Sequence, residues 1–138
     1  MNPFRYMLAA ALAFAAANTL ATEDNVSLDL NKLEATADGC RMHIVVGNHT
    51  AQAFEEYLLD LVIFDDKGVV SRRAAVDVSP VRPRKTSVYA FNVTGLGCER
   101  FGRVLLNDVT GCAVGSGEAT DCTAGVSVSS QTGVEFFK

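Results

Sequence analysis

A long apolar run that ends in a tight polar turn constrains this fold more than any other stretch. The run extends from Tyr57 to Phe64, and Asp65-Asp66-Lys67-Gly68 follows before the chain returns through Val69-Val70-Ser71. The run is short and rich in Leu, Val and Ile, which favours a strand over an independent helix. Asp side chains bond turn backbone and Gly accepts positive φ, so the stretch from Glu56 to Val78 is predicted to be a β-hairpin.

The first strand of this hairpin has two largely apolar faces. Side chains alternate across a strand, so every second residue shares a face. One face holds Tyr57, Leu59, Leu61 and Ile63, and the other holds Leu58, Asp60, Val62 and Phe64. Apolar residues on both faces indicate an inner strand that is covered on both sides for much of its length.

Short alternating segments, separated by turn residues, occur along the rest of the chain. Pro80 and Pro83 exclude a regular central strand from Ser79 to Arg84, which is predicted to be an edge or a crossover. Seven or eight short strands without a convincing amphipathic helix predict an all-β antiparallel sandwich. Besides the hairpin, strands are expected at Val26–Leu33, Arg41–Val46, Val88–Val93, Phe101–Asn107, Val126–Val128 and Val134–Phe137.

The first 21 residues have the three-part pattern of a secretory signal. Arg5 precedes an apolar stretch that starts at Met7, and small residues follow up to Ala21, the expected cleavage position, with Ala17 as the alternative. An uncleaved membrane anchor is less favoured, because the stretch is shorter than the roughly 20 residues that span a bilayer. We therefore expect a signal peptide at residues 1–21, a single domain at residues 22–138 and no stable membrane span after cleavage.

The charge of the expected mature chain is mildly acidic. Cleavage would remove Arg5 and no acidic residue, which leaves 11 of the 12 basic residues against 16 acidic ones. This balance argues against general nucleic-acid binding.

No residue pattern indicates catalysis, a cofactor or a metal. Ser116 lies between two glycines but lacks the G-x-S-x-G frame of a nucleophile elbow. His43 and His49 are six residues apart, and a copper site would need more Met or Cys donors than Met42. We expect a protein without enzymatic activity, with hydrogen-bonded or solvated histidines and no cofactor.

Four cysteines follow the export signal, and an even number in an oxidising compartment is typical of disulfides. Three pairings are possible. In a meander of strands, Cys98 returns to the same end of the sheet as Cys40, whereas Cys112 follows one further strand and lies at the opposite end. The predicted bonds are therefore Cys40–Cys98 and Cys112–Cys122. A tetrathiolate metal site is disfavoured because paired C-x-x-C spacings are absent.

A cluster of basic residues stands out in this acidic chain. It could form a docking face for an acidic partner, a phosphate-bearing lipid headgroup or an anionic envelope polymer. It could also protect a sheet edge, because charges and prolines prevent strand-to-strand aggregation. The candidate partner-binding residues are Arg72, Arg73, Arg82, Arg84 and Lys85.

One family resemblance covers about Arg41 to Val93. Leu61-Val62-Ile63-Phe64-Asp65, followed by Gly68-Val69-Val70, resembles the Phe-x-Leu-Tyr-Asp motif of small bacterial extracytoplasmic β-sandwich domains. The flanks are also similar: Val46-Gly47-Asn48 precedes the strand, and Pro80, Lys85-Thr86 and Phe91 follow it. The resemblance implies an immunoglobulin-like fold in an exported protein. The four cysteines and the tail after Gly95 depart from this pattern. The alternative resemblance is therefore to a neighbouring uncharacterised periplasmic family.

The function expected from these features is that of an exported, non-catalytic binding or assembly module in the periplasm or cell envelope. Its partner would be a protein, contacted through edge strands or the basic segment. The alternative is an inhibitor of a secreted hydrolase that inserts the loop from Cys112 to Cys122. Glu118 and Asp121 on that loop could reach a cationic cleft.

Overall fold

A computed structural model describes residues 25–113 and 121–138. The expected signal peptide at residues 1–21 lies outside the described residues, as does Glu118, the inner part of the proposed inhibitory loop. The described chain forms eight strands and one short 3-10 helix, Cys98–Arg100. The strands are β1 Val26–Thr36, β2 Gly39–Asn48, β3 Glu56–Phe64, β4 Val70–Asp77, β5 Thr86–Thr94, β6 Arg103–Ala113, β7 Val126–Ser130 and β8 Glu135–Phe137.

The strands form two four-stranded sheets, in the orders β5-β2-β1-β7 and β4-β3-β6-β8. The predicted all-β sandwich of seven to eight strands with two disulfides is confirmed. Four strand pairings within the described chain are antiparallel, as predicted. The pairings of β1 with β7 and of β6 with β8 are instead parallel. No tight hairpin joins either pair, so neither connection requires opposite strand directions.

The core lies between the sheets and follows the two-residue period of the strands. On β3 one of the two predicted faces, Tyr57, Leu59, Leu61 and Ile63, points inward and is fully buried. They meet alternating apolar residues of the other sheet, including Leu28, Leu30, Met42 and Ile44. Each inward side chain removes apolar surface from water, which makes this layer the main source of stability.

The predicted hairpin is present, with β3 paired to β4. Asp65 Oδ1 accepts hydrogen bonds from the backbone N–H groups of Lys67 and Val69, both at 2.9 Å. Gly68 has φ +79°, a conformation that a residue with a Cβ adopts only at a cost. The turn therefore has the chemistry expected from its sequence.

Both predicted disulfides are confirmed. Cys40 of β2 bonds Cys98 at the start of the 3-10 helix, with their Cα atoms 4.9 Å apart. Cys112 of β6 bonds Cys122, with their Cα atoms 6.3 Å apart. The first bond spans 58 residues of chain and the second spans 10.

The proline-containing segment after β4 is a crossover. β4 ends at Asp77 at the edge of one sheet, and β5 begins at Thr86 at the edge of the other. Between them, Val81 forms an isolated antiparallel bridge with Phe54, and both residues are buried. This bridge fixes the path by which the chain changes sheets, and it positions the basic residues that follow.

Candidate functional site: the basic loop and the open edge of β5

The five basic residues grouped in the sequence separate into two sets in the fold. Arg72 and Arg73 lie near the start of β4, whereas Arg82, Arg84 and Lys85 lie in the crossover beyond its other end. Asp77, the last residue of the strand, lies four positions beyond Arg73, a distance of about 13 Å. The two sets therefore do not form one continuous basic face.

Arg73 is engaged on the outer face of its sheet. Its Nε donates to Asp60 Oδ1 at 2.8 Å, and its Nη2 donates to Asp60 Oδ2 at 2.6 Å. Asn107 Nδ2 also donates to Asp60 Oδ2, at 2.7 Å. The hydrogen bonds from Arg73 and Asn107 together hold the pKa of the Asp60 carboxyl below its usual value against the opposing effect of burial. Arg73 thus compensates a buried carboxylate of its own fold.

Arg72 points toward the opposite face, as successive strand residues must. Its Nε donates to the Thr94 carbonyl at the end of β5, at 3.4 Å. Arg72 Nη2 also lies 2.7 Å from the position that a Cβ on Gly95 would take. Arg72 thus spans the gap between the edge strands of the two sheets.

The basic loop, residues 82–85, is exposed but held in place by its backbone. Asn48 N donates to the Lys85 carbonyl at 2.9 Å, and Arg84 N donates to the Thr50 carbonyl at 3.3 Å. Arg84 has φ +55°, which is uncommon for a residue with a Cβ. Its guanidinium donates to the His49 carbonyl. The loop therefore presents its side chains from a fixed backbone.

The segment that bonds the basic loop, residues 48–52, is itself held in place by the buried side-chain amide of Asn48. Asn48 is buried, and its Oδ1 accepts from Thr50 N at 2.9 Å and from Thr50 Oγ1 at 2.7 Å. Asn48 Nδ2 donates to the Gln52 carbonyl at 2.7 Å. Every polar atom of this buried side chain has a partner, which makes the support under the basic loop rigid.

The two histidines have separate partners. His43 Nε2 lies 2.9 Å from Glu34 Oε2, and His49 Nε2 lies 3.0 Å from Ser27 Oγ. Within residues 25–113 and 121–138, no three His, Cys, Asp or Glu side chains are grouped as metal ligands would be. The histidines are thus placed as hydrogen-bonding groups near the sheet surface.

The outer edge of β5 is a feature that the sequence did not indicate, since it predicted only a strand at Val88–Val93. In the described chain β5 pairs with β2 and has no strand on its other side. Tyr89 and Phe91 are partly buried against the core, and Val88 on the other face is 65% exposed. The position of β5 at the edge depends on which strands share a sheet. The alternation of apolar and polar residues does not encode this relation between distant segments.

A small cavity lies at the end of the sandwich where β3 begins. It has a volume of about 180 Å³, and Phe54, Tyr57, Thr50, Gln52 and Asp121 are among its lining residues. The rings of Phe54 and Tyr57 meet edge to face with centroids 5.3 Å apart. Burial raises the pKa of the Tyr57 hydroxyl, so this wall of the cavity is neutral at physiological pH.

Comparisons with known proteins give no relative for this chain: no family model, curated protein or solved structure matches it. Across the two described ranges, no helix is long and apolar enough to cross a membrane.

Proposed function

We propose that this protein is an exported, non-catalytic binding or assembly module that acts in the periplasm or cell envelope and contacts an acidic protein through the basic loop. The observation that carries the proposal is the fixed, exposed presentation of Arg82 and Lys85 on a chain with net negative charge. A localised basic feature on an acidic surface attracts a complementary partner and orients it during encounter.

The rigidity of the basic loop supports a role in partner binding, as opposed to a loop that only contacts solvent. The carbonyl of Lys85 and the N–H of Arg84 are bonded to the segment that follows β2. A loop that is ordered before binding loses less conformational entropy when a partner docks. The basic loop is thus suited to a specific contact rather than to a diffuse one.

The alternative role, edge protection, fits the other two arginines better. Arg72 and Arg73 lie on β4, which is an edge strand, and they place charge where a second strand would have to pair. The basic loop lies outside the strands and does not obstruct pairing along β5. We therefore assign edge protection to the arginines of β4 and partner binding to the loop.

The test is site-specific crosslinking in the native envelope. A photo-reactive residue in place of Pro83 would capture a protein partner, and the double variant Arg82→Ser, Lys85→Ser should abolish that crosslink. Arg84 is kept, because its guanidinium and backbone hold the loop.

The matched control is Lys32→Ser, Lys67→Ser, which removes the same charge from other exposed positions. It should leave the crosslink intact. A crosslink equally reduced by both double variants would show that net charge, and not the basic loop, is responsible. A crosslink unaffected by either would refute the proposed site.

A further inference from the structure

The free edge of β5 lacks the features by which proteins protect an edge strand. Its nine residues, Thr86 to Thr94, contain no charged residue and no proline. Edge strands are ordinarily protected by charge, proline or short length. β4 carries Arg72, Arg73 and Asp77, and β7 and β8 contain only five and three residues. β5 is the long unprotected edge of the described fold.

The hydrogen bonds around β5 show which backbone groups face outward. Asn48 N bonds the Lys85 carbonyl just before the strand, and Gly95 N bonds the Asp38 carbonyl just after it. Lys85 and Gly95 therefore both belong to hydrogen-bonded pairs with the β2 side. Because such pairs occur at every second residue of an antiparallel ladder, the odd-numbered residues of β5 bond β2. Val88, Ala90 and Asn92 therefore direct their N–H and C=O groups to the open side. The contact of Arg72 with the Thr94 carbonyl follows the same alternation.

We propose that β5 pairs antiparallel with β5 of a second copy of this chain, about a two-fold axis at Ala90. In this register the segments Thr86–Thr94 of the two copies lie side by side, and the terminal pairs of Thr86 with Thr94 would displace the hydrogen bond from Arg72 to the Thr94 carbonyl. Ala90 faces the second copy's Ala90, and Val88 faces the second copy's Asn92. All of these residues direct their backbone groups outward, so each pair exchanges two hydrogen bonds. The two β5-β2-β1-β7 sheets become one continuous eight-stranded sheet.

The side chains suit a second copy because the strand is compatible with itself. A two-fold interface brings each residue against the same surface of its counterpart, and like charges opposite each other would be destabilising. β5 has no charge to repel. Tyr89 faces the second copy's Phe91 on the inner side, and aromatic pairs across strands are stabilising. The same pairing on β4 would bring Arg72 and Arg73 of both copies close together.

Self-pairing also has a consequence for the basic loop, although this step rests on the proposed function. Lys85 lies next to the second copy's Gly95, so the two Lys85 residues are ten positions apart along the joint ladder. At 3.3 Å per residue they are separated by about 33 Å. A dimer would thus present two basic loops to one partner or to two neighbouring partners, which raises avidity without a new contact.

The test uses complementary charges at the two-fold axis. Ala90→Lys places two ammonium groups opposite each other, and Ala90→Glu places two carboxylates there. Light scattering coupled to size-exclusion chromatography of the mature protein, residues 22–138, should show a dimer for the unmodified chain. Each single variant should weaken dimerisation by about tenfold or more, which corresponds to about 1.4 kcal/mol. An equimolar mixture of the two variants should restore the dimer.

Ala75→Lys is the matched control, because Ala75 is an exposed alanine on the other edge strand, β4. It should leave the dimer unchanged. A mature protein that stays monomeric at millimolar concentration would overturn the proposal. So would a dimer that persists in Ala90→Lys, or variants that remain monomeric when mixed although circular dichroism shows them folded. The Arg82→Ser, Lys85→Ser variant should still dimerise, so failure of the basic-loop proposal remains separate.

Discussion

Replacing Asp60 by Asn should destabilise the fold, because it removes a buried carboxylate that other side chains bond. Asp60 is 6% exposed, and its two oxygens accept three hydrogen bonds, two from Arg73 and one from Asn107. An amide has about the same size but no charge, and its NH₂ would face donors. The substitution therefore tests the charge and its hydrogen bonds rather than the packing.

The expected loss of unfolding free energy is about 2 kcal/mol. Hydrogen bonds to charged groups contribute about 1.5–3 kcal/mol. Breaking a fully buried ion pair can cost about 3–5 kcal/mol, because an unpaired charge stays buried. The Arg73 side chain is 67% exposed and can be resolvated, so the lower range applies. At roughly 4 °C per kcal/mol for a domain of this size, the melting temperature should fall by about 8 °C.

The pH dependence of the unfolding free energy provides a second test of the Asp60 interaction. The folded-state pKa of Asp60 lies below its usual value, so the carboxylate stabilises the fold above about pH 4 and loses this effect as the pH falls through the folded-state pKa. Urea unfolding at pH 7 should separate the native chain from Asp60→Asn by about 2 kcal/mol, and the difference should shrink at pH 2.5.

The control for Asp60→Asn is Asp66→Asn, an exposed aspartate of the β3–β4 turn. It should leave stability nearly unchanged at both pH values. Two results would refute the reasoning: equal stability of Asp60→Asn and the native chain at pH 7, or a difference that is the same at pH 2.5 as at pH 7.

Two further predictions concern the turn and the disulfides. Gly68→Val should cost about 1 kcal/mol or more, because φ is +79° there; the same change at Gly133, where no atom lies within 4 Å of an added Cβ, should cost less in parallel thermal melts. Removing Cys40–Cys98 by double serine substitution should cost about 4 kcal/mol, and removing Cys112–Cys122 about 3 kcal/mol, since chain entropy grows with loop length. Equal urea midpoints for the two disulfide variants would contradict that ordering.

The sequence predicted the parts of the fold that depend on neighbouring residues. Alternation over Tyr57 to Phe64 and the Asp-Asp-Lys-Gly turn encode the β3–β4 hairpin locally. The disulfide pairing followed from counting strand reversals, which is also a local operation. Strand ends were less accurate: β6 continues to Ala113, beyond its predicted end at Asn107, because bulges allow it to keep pairing with β3.

Relations between distant segments could not be predicted in the same way. Asp60 belongs to a face that was expected to be covered, but no further layer covers it within residues 25–113 and 121–138. The cover is supplied by long side chains of the flanking strands, Arg73 from β4 and Asn107 from β6. Identifying those partners requires the strand order and register, which hydrophobic alternation leaves open.

The basic residues show why closeness in sequence is a poor guide to a shared surface in a β protein. Arg72 and Arg73 are neighbours in the chain, so they must point to opposite faces of β4, one toward Thr94 and one toward Asp60. Both guanidiniums thereby bond groups within the fold, while the crossover carries Arg82 and Lys85 beyond the far end of the strand. Charge on β4 disfavours pairing at that edge, and the edge of β5 is contacted by Arg72 only at its last residue, Thr94. The same arginines that complete the fold therefore also direct self-association to β5.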